Sequence, residues 1–139
     1  WPWAMGWLEL EYEPQAVAVG MLELSGPELL LAIPLAVLVL PFFEELVFRG
    51  FLQPLLVQNL GDRGGVVATS LVFGALHGAS AFLPIFGLSL ILGGVMLRTQ
   101  RLFGPFLVHA LHNGLMLLLL FQSPELRETF TQSLTGWLP

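Results

Sequence analysis

The sequence contains no cysteine, and charged residues of either sign are scarce. The lack of cysteine excludes disulfides, thiolate nucleophiles and zinc or iron–sulfur centres with cysteine ligands. All five basic residues are arginine and they form no basic stripe, which disfavours nucleic-acid binding. Charged residues make up 11% of the 139 residues and hydrophobic residues 55%, and the mean hydropathy is +0.80. This composition is typical of an integral membrane protein.

Long apolar segments, separated by short stretches rich in glycine, proline and arginine, dominate the middle of the chain. They predict an all-α fold, a polytopic transmembrane helix bundle with about four membrane helices in one domain. The predicted helices run from about 28 to 56, 66 to 78, 83 to 97 and 106 to 121. Pro34, Pro41 and Pro54 are expected to kink or split the first of them. Residues 59–65 are rich in glycine and are predicted to form a loop.

The two ends of the chain differ from this apolar core. Residues 1–25 combine tryptophan with acidic side chains, which is typical of an interfacial or partly disordered segment. Residues 123–139 have an amphipathic pattern, and we expect this tail to lie at the membrane interface. The helical core is therefore predicted to cover residues 26–122. Because the sequence begins with Trp1 and not with methionine, we expect it to be a piece of a longer protein.

Arginine is distributed unevenly between the predicted loops. Three arginines fall in or beside the loops at 59–65 and 98–103, which four crossings place on one side of the membrane. Only Arg127 falls on the opposite side. Since an excess of arginine in short loops marks the cytoplasmic side, these two loops are predicted to face a cytoplasm-like compartment.

Ionisable side chains occur inside the most hydrophobic segments, beginning with Glu44, Glu45 and Arg49 in PFFEELVFRG. A charge near the bilayer centre costs at least about 2.5–3.5 kcal/mol, so such groups usually serve a reaction or a pathway. Adjacent residues of a helix point about 100° apart, so the two carboxylates are expected to have different roles. The i,i+4 spacing of Glu45 and Arg49 predicts an ion pair, which leaves Glu44 as a candidate general base. The structural alternative is an ion-pair network that only fixes helix packing.

Three histidines complete the set of polar residues in apolar surroundings. His77 follows Phe73 by four residues, so the two rings are predicted to share one face of the second helix. His109 and Asn113 have the same spacing on the fourth helix, with His112 beside them. Two donors on one helical face can stabilise a developing oxyanion. Packing hydrogen bonds between helices, worth about 0.6–2 kcal/mol in membranes, are the alternative.

The order of these motifs, EExxxR, FxxxH and HxxxN on separate apolar helices, resembles the CAAX protease and bacteriocin-processing (CPBP, or Abi) family of intramembrane proteases. The resemblance covers about residues 28–121. It implies an intramembrane endopeptidase of the CAAX-processing or bacteriocin-processing type. The partners that it implies are membrane lipid and a peptide or prenylated protein substrate.

The resemblance also implies a role for each motif residue. Glu44, with help from His77, would activate a water that attacks the scissile carbonyl. His109 and Asn113 would hold the oxyanion. The supporting residues would be Glu45, Arg49, Phe73 and, behind the motif, His112.

Metal use is a separate question, because members of this family are frequently labelled metalloproteases. Glu44, His77 and His109 can supply a carboxylate and two imidazoles to zinc, with an open position for water. The sequence lacks HExxH, in which one helix presents two ligands and a base. A metal-free glutamate mechanism explains the same residues, so we expect no cofactor and keep zinc as the alternative.

Other intramembrane protease classes and non-proteolytic roles are the alternatives to this interpretation. The sequence has no GxSG nucleophile motif and no paired aspartates, since Asp62 is its sole aspartate, so other intramembrane proteases fit poorly. A membrane scaffold, an immunity protein or a protein that binds a ligand or pigment through the same buried cluster is the alternative to proteolysis. The substrate and the oligomeric state are left open. Gly74 and Gly78 form a GxxxG that permits close helix approach within or between chains.

Overall fold

The computed structural model describes residue 24 and residues 26–122, and every regular element in that part of the chain is helical. The elements are α1 (Gly26–Pro34), a π-helical segment π1 (Leu35–Val39), α2 (Leu40–Glu45), a second π-helical segment π2 (Leu46–Leu52), α3 (Gln53–Leu76), α4 (Phe82–Thr99) and α5 (Phe103–Phe121). The predicted all-α class is thereby confirmed. The terminal segments predicted at 1–25 and 123–139 lie outside the described residues, apart from residue 24.

Some of these helical stretches are long enough to span a membrane. The continuous stretch Gly26–Leu76 and the helix Phe82–Thr99 are long and apolar enough to cross a membrane, and a shorter apolar helix covers Phe103–Leu119. The first stretch is divided at Gly61, so that residues 26–60, here called the first rod, are followed by residues 62–76, the second rod. Together with α4 and α5 the two rods give four helical rods in the described part of the chain.

Gly61 makes the reversal between the first and second rods in a single residue. Its backbone angles, φ 70° and ψ 171°, lie in a region that is essentially restricted to glycine. The predicted seven-residue loop at 59–65 is therefore wrong, because the residues on both sides of Gly61 are helical. Composition identified the turn, but it did not show that one glycine suffices to reverse the chain.

Gly65 permits the two rods to approach each other closely. An added Cβ at Gly65 would lie 2.6 Å from the backbone N and 2.7 Å from the Cα of Val57. In a continuous helix these residues would be about 12 Å apart, so the contact also shows that the chain reverses between them.

The prolines of the first rod lie beside its π-helical segments. Pro34 immediately precedes π1, and Pro54 follows shortly after π2. Proline lacks an N–H and its ring crowds the carbonyl four residues earlier, so a wider turn nearby relieves the mismatch. The first rod remains helical through all three prolines, and the irregularity predicted from them takes the form of π-helical turns.

α4 runs parallel to the first rod and pairs with it in register. Arg49 contacts Ser89, and Gln53 contacts Gly93, so the contacts advance in the same direction along both helices. Gly93 is closely covered, since an added Cβ would lie 2.8 Å from a methyl group of Val66. The small residue therefore allows both rods to pack against α4.

Two boundaries differ from the sequence prediction. Gly78 has a φ of 85° and lies beyond the end of α3, so Gly74 and Gly78 do not form a helical GxxxG surface. Gly74 instead packs against Phe82 at the start of α4, with 3.2 Å between the Phe82 ring and an added Cβ. α5 begins at Phe103, earlier than predicted, because Pro105 in a first helical turn sacrifices no intrahelical hydrogen bond.

The interior of the bundle is unusually polar and its exterior apolar. Many large apolar side chains are exposed along all four rods, as in a protein whose outer surface faces lipid. The buried polar residues are Glu45, Arg49, Gln53, Thr69, Ser70, Ser89 and His109. This distribution places Glu45, Arg49 and His109 between the helices, where they can interact.

We predict that Gly65→Ala destabilises the protein by about 1–3 kcal/mol, because the added methyl group overlaps backbone atoms of Val57 and the two rods must separate. Thermal unfolding in detergent measures the effect. Gly94→Ala is the matched control, since an added Cβ there meets no heavy atom within 4 Å. Equal unfolding temperatures for the two variants would contradict the close packing of the rods.

Candidate active site

The centre of the polar interior is an ion pair on the first rod. Glu45 and Arg49 are both fully buried, and Arg49 Nη1 donates to Glu45 Oε1 over 3.0 Å. The ion pair expected from their spacing is present. Arg49 Nη2 donates in addition to the hydroxyl of Ser89 over 2.8 Å and to the Ser89 carbonyl over 3.3 Å. One guanidinium thus links the first rod to α4.

Phe73 on the second rod packs its ring against this guanidinium. The Arg49 guanidinium carbon lies 4.7 Å from the centre of the Phe73 ring, within the range of a cation–π contact. The same ring lies 4.6 Å from the imidazole of His77 and 5.9 Å from that of His109, centre to centre. Phe73 and His77 share a helix face, as predicted, and Phe73 connects all three motifs.

His109 of α5 lies between the two adjacent glutamates. Its Nδ1 is 2.8 Å from Glu45 Oε1, and its Nε2 is 3.5 Å from Glu44 Oε2. Because an ionised carboxylate only accepts hydrogen bonds, the Nδ1–H donates to Glu45. Neighbouring residues of the first rod therefore reach opposite edges of one imidazole.

Glu44 and Glu45 have different environments. The Glu45 side chain is fully enclosed, whereas 34% of the Glu44 side chain remains accessible. Glu45 is held by Arg49 and His109, and Glu44 faces His109 at the longer distance. Of the two carboxylates, that of Glu44 is therefore the accessible one, and the different roles expected for the pair stay a prediction.

His77 lies at the C-terminal end of α3 and is half-buried. Its Nδ1 is 2.7 Å from the carbonyl oxygen of Phe73, and since a carbonyl cannot donate, this nitrogen carries the proton. A neutral His77 therefore has its lone pair on Nε2, the nitrogen that can act as an acceptor or base. The imidazole at ion-pair distance from Glu44 is that of His109.

Asn113 contacts the backbone of the first rod. Its Nδ2 donates to the carbonyl of Ala36 over 3.1 Å. At the end of π1 the N–H of Leu40 donates to the carbonyl of Leu35, five residues back. In the same register the next donor, to the Ala36 carbonyl, would be the N–H of residue 41, but Pro41 has none. The Asn113 amide thus supplies the donor that Pro41 lacks. One amide N–H of Asn113 is then left for another acceptor. His112, also on α5, is half-buried.

Sequence reasoning missed two residues of this polar cluster, Ser89 and Gln53. Gln53 is one helical turn beyond Arg49, and its Nε2 donates to the Gly93 carbonyl over 3.1 Å. Its i,i+4 spacing from Arg49 was a usable signal. The sequence signal for Ser89 was weak, because Ser89 is an isolated hydroxyl in the apolar middle of α4.

A metal centre was the alternative use of Glu44, His77 and His109. Within the described residues, no three side chains of His, Cys, Asp or Glu are grouped as metal ligands would be. His109 instead has a glutamate at each ring nitrogen.

Comparisons with known proteins agree with the arrangement of the motifs. A family model described as type II CAAX prenyl endopeptidase Rce1-like matches residues 26–115, a range that includes every residue of the three motifs. The membrane-embedded CAAX protease MroQ of Staphylococcus aureus (strain USA300) is 31% identical over 99 residues. That match covers 66% of this chain but 40% of the relative, so the chain spans well under half the length of MroQ. No solved structure matches the chain.

We predict that Arg49→Lys lowers the free energy of unfolding by roughly 1.5–3 kcal/mol, the value of a hydrogen bond to a charged group. Lysine keeps the charge, but a single ammonium cannot reproduce the fork that reaches both Glu45 and Ser89. Chemical or thermal unfolding in detergent measures the loss. Arg63→Lys, at an exposed position near the start of the second rod, is the control. An unfolding free energy equal to that of the control would show that the fork does not stabilise the bundle.

Proposed function

This chain belongs to the type II CAAX prenyl endopeptidase Rce1-like family, and from that membership we propose that it is an intramembrane endopeptidase that hydrolyses a peptide bond with a water activated by Glu44. The matched family and the curated relative support a protease embedded in the membrane. The apolar helices support the same location.

One observation carries the proposal, namely that His109 lies between an enclosed and an accessible glutamate. Glu45, bound to Arg49, holds the Nδ1 edge of the ring, while the accessible Glu44 faces the Nε2 edge at 3.5 Å. A network that only fixed helix packing would enclose both carboxylates. An accessible carboxylate beside an oriented imidazole is instead a pair that can take up and pass on protons.

In the proposed reaction Glu44 accepts a proton from a water as the water oxygen bonds to the scissile carbonyl carbon. The lone pair on His77 Nε2 is proposed to accept the second hydrogen of that water and so to orient it. The carbonyl oxygen gains the negative charge. The proton held by Glu44 then passes to the leaving nitrogen as the carbon–nitrogen bond breaks, and the carboxylate is regenerated.

His109 and Asn113 are proposed to stabilise the oxyanion. Asn113 has one amide N–H beyond the one that bonds to Ala36. His109 donates from Nε2 when its ring carries both protons, and its positive charge then lies between the two glutamates. In this role the carboxylate of Glu45 compensates the charge on the ring.

The substrate is proposed to be a protein or peptide that approaches from the membrane, with a prenylated C-terminal CAAX peptide as the first candidate. The family description names a CAAX prenyl endopeptidase and the relative is named a CAAX protease, which supports this choice. A bacteriocin-type leader peptide is the second candidate. We propose that the two arginine-bearing ends of the rods, at the Gly61 reversal and at residues 98–103, face the cytoplasm-like side.

Glu44→Gln is expected to lower the rate of peptide hydrolysis by at least about 10²-fold, because the amide keeps the shape of the side chain but cannot accept the proton. The assay uses the full protein in detergent micelles with a fluorogenic CAAX peptide, prenylated and unprenylated. Asp62→Asn makes the same chemical change at an exposed position at the start of the second rod and should retain the wild-type rate. Hydrolysis by Glu44→Gln at the control rate would exclude Glu44 as the base. A wild-type protein that cleaves neither peptide nor a leader peptide would favour a scaffold or ligand-binding role.

Metal removal is expected to leave hydrolysis intact, since the proposed base and oxyanion donors are all side chains. The measurement is the rate of peptide cleavage before and after dialysis against 1,10-phenanthroline, with total zinc determined on the same sample. A rate that falls with the zinc content and returns when zinc is restored would contradict the metal-free mechanism. A zinc-dependent peptidase treated in parallel verifies that the chelator is effective.

A further inference from the structure

We propose that Ser89 is a positioning residue of the hydrolytic site, which holds Arg49 so that the Glu45 carboxylate stays on Nδ1 of His109. The inference rests on the proposed function, because its consequence is the direction in which His109 Nε2 points. It also gives α4, which carries none of the three sequence motifs, a part in the site.

The geometry forms a continuous chain of polar contacts across three helices. The Ser89 hydroxyl accepts from Arg49 Nη2 over 2.8 Å, and Arg49 Nη1 donates to Glu45 Oε1 over 3.0 Å. The same Glu45 oxygen lies 2.8 Å from His109 Nδ1. At the far end, His109 Nε2 lies 3.5 Å from Glu44. Each link joins a different pair of side chains, so a displacement at Ser89 is transmitted to the imidazole.

Ser89 supplies the shorter of the two contacts that hold Arg49 Nη2. The other is the Ser89 carbonyl at 3.3 Å, and the Nε of Arg49 has no hydrogen-bond partner within the described part of the chain. Without the hydroxyl, the guanidinium can rotate about its hydrogen bond to Glu45 while it keeps its contact with the Phe73 ring. Arg49 also lies in the π-helical segment π2, and an anchor on a neighbouring helix would fix its orientation.

The position of Ser89 opposite Arg49 is set by the packing of α4. One turn further along, Gln53 donates to the Gly93 carbonyl, and both pairs have the same sequence separation. The register is therefore fixed by two contacts. Removal of the Ser89 hydroxyl leaves the Gln53–Gly93 contact in place, so α4 should keep its position while Arg49 Nη2 keeps only the longer contact to the backbone carbonyl of residue 89.

The primary test is Ser89→Ala, compared with Ser70→Ala. Both serines are 1% exposed, and Ser70 Oγ has no hydrogen-bond partner within the described residues, so the control removes the same atom from the same bundle without touching the chain of contacts. We expect Ser89→Ala to lower kcat by about tenfold to hundredfold with little change in KM, because the misplaced group is catalytic and Ser89 does not touch substrate. Ser70→Ala should retain the wild-type kcat.

A second readout follows the His109 ring directly, by NMR of protein labelled with ¹⁵N-histidine and assigned with His109→Gln. In the wild type the Nδ1 signal should be that of a hydrogen-bonded N–H. Ser89→Ala should shift this signal or mix the two tautomers, and Ser70→Ala should leave it unchanged. If Ser89→Ala lowers thermal stability alone, with kcat and the His109 signal unchanged, Ser89 is only structural and the proposal is wrong.

Ser89→Thr and Ser89→Val provide a pair of equal shape should the alanine variant fail to fold. Threonine keeps the hydroxyl and should retain the His109 signal, whereas valine should lose it; equal signals in the two variants would overturn the proposal. The NMR readout also separates the two hypotheses. If the wild type cleaves no peptide but its His109 signal responds to Ser89, the proposed function fails while the positioning role stands.

Discussion

The burial of one charge, the guanidinium of Arg49, is the constraint on which the rest of the interior depends. Arg49 is fully enclosed, and a buried cation needs a paired charge and hydrogen bonds because the loss of water costs several kcal/mol. Glu45 supplies the charge, Ser89 the acceptor on a neighbouring helix and Phe73 the ring beneath the guanidinium. The contacts of this single side chain therefore bring three of the four rods together.

The two adjacent glutamates follow from that constraint. Because Glu45 must face Arg49, Glu44 is turned by about 100° toward the accessible side of the first rod. His109 then lies against both, bonded by Glu45 at one nitrogen and facing Glu44 with the other. In the proposed reaction the enclosed carboxylate orients the imidazole and the accessible one reacts, so helix geometry would give two identical neighbouring residues different roles.

The features that sequence reasoning predicted correctly are local ones. The ion pair of Glu45 with Arg49 and the shared face of Phe73 and His77 depend only on helical spacing. The contact between Glu45 and His109 joins residues 64 apart, and Ser89 lies 40 residues from Arg49. No periodicity encodes these distances, because they depend on how helices pack. The single-residue reversal at Gly61 was missed for another reason, since composition marks a turn but not its backbone angles.

Asn113 shows that residues of the proposed reaction also hold the bundle together. Pro41 deprives Ala36 of its backbone donor, and in hydrocarbon a carbonyl without a donor is costly, so an amide from α5 fills the gap. This bond fixes α5 against the first rod on the same helical face that carries His109. An amide has two N–H groups, and the proline uses only one of them. The bond that one N–H makes to Ala36 also holds the other N–H in position, which is the preorganisation that an oxyanion donor requires.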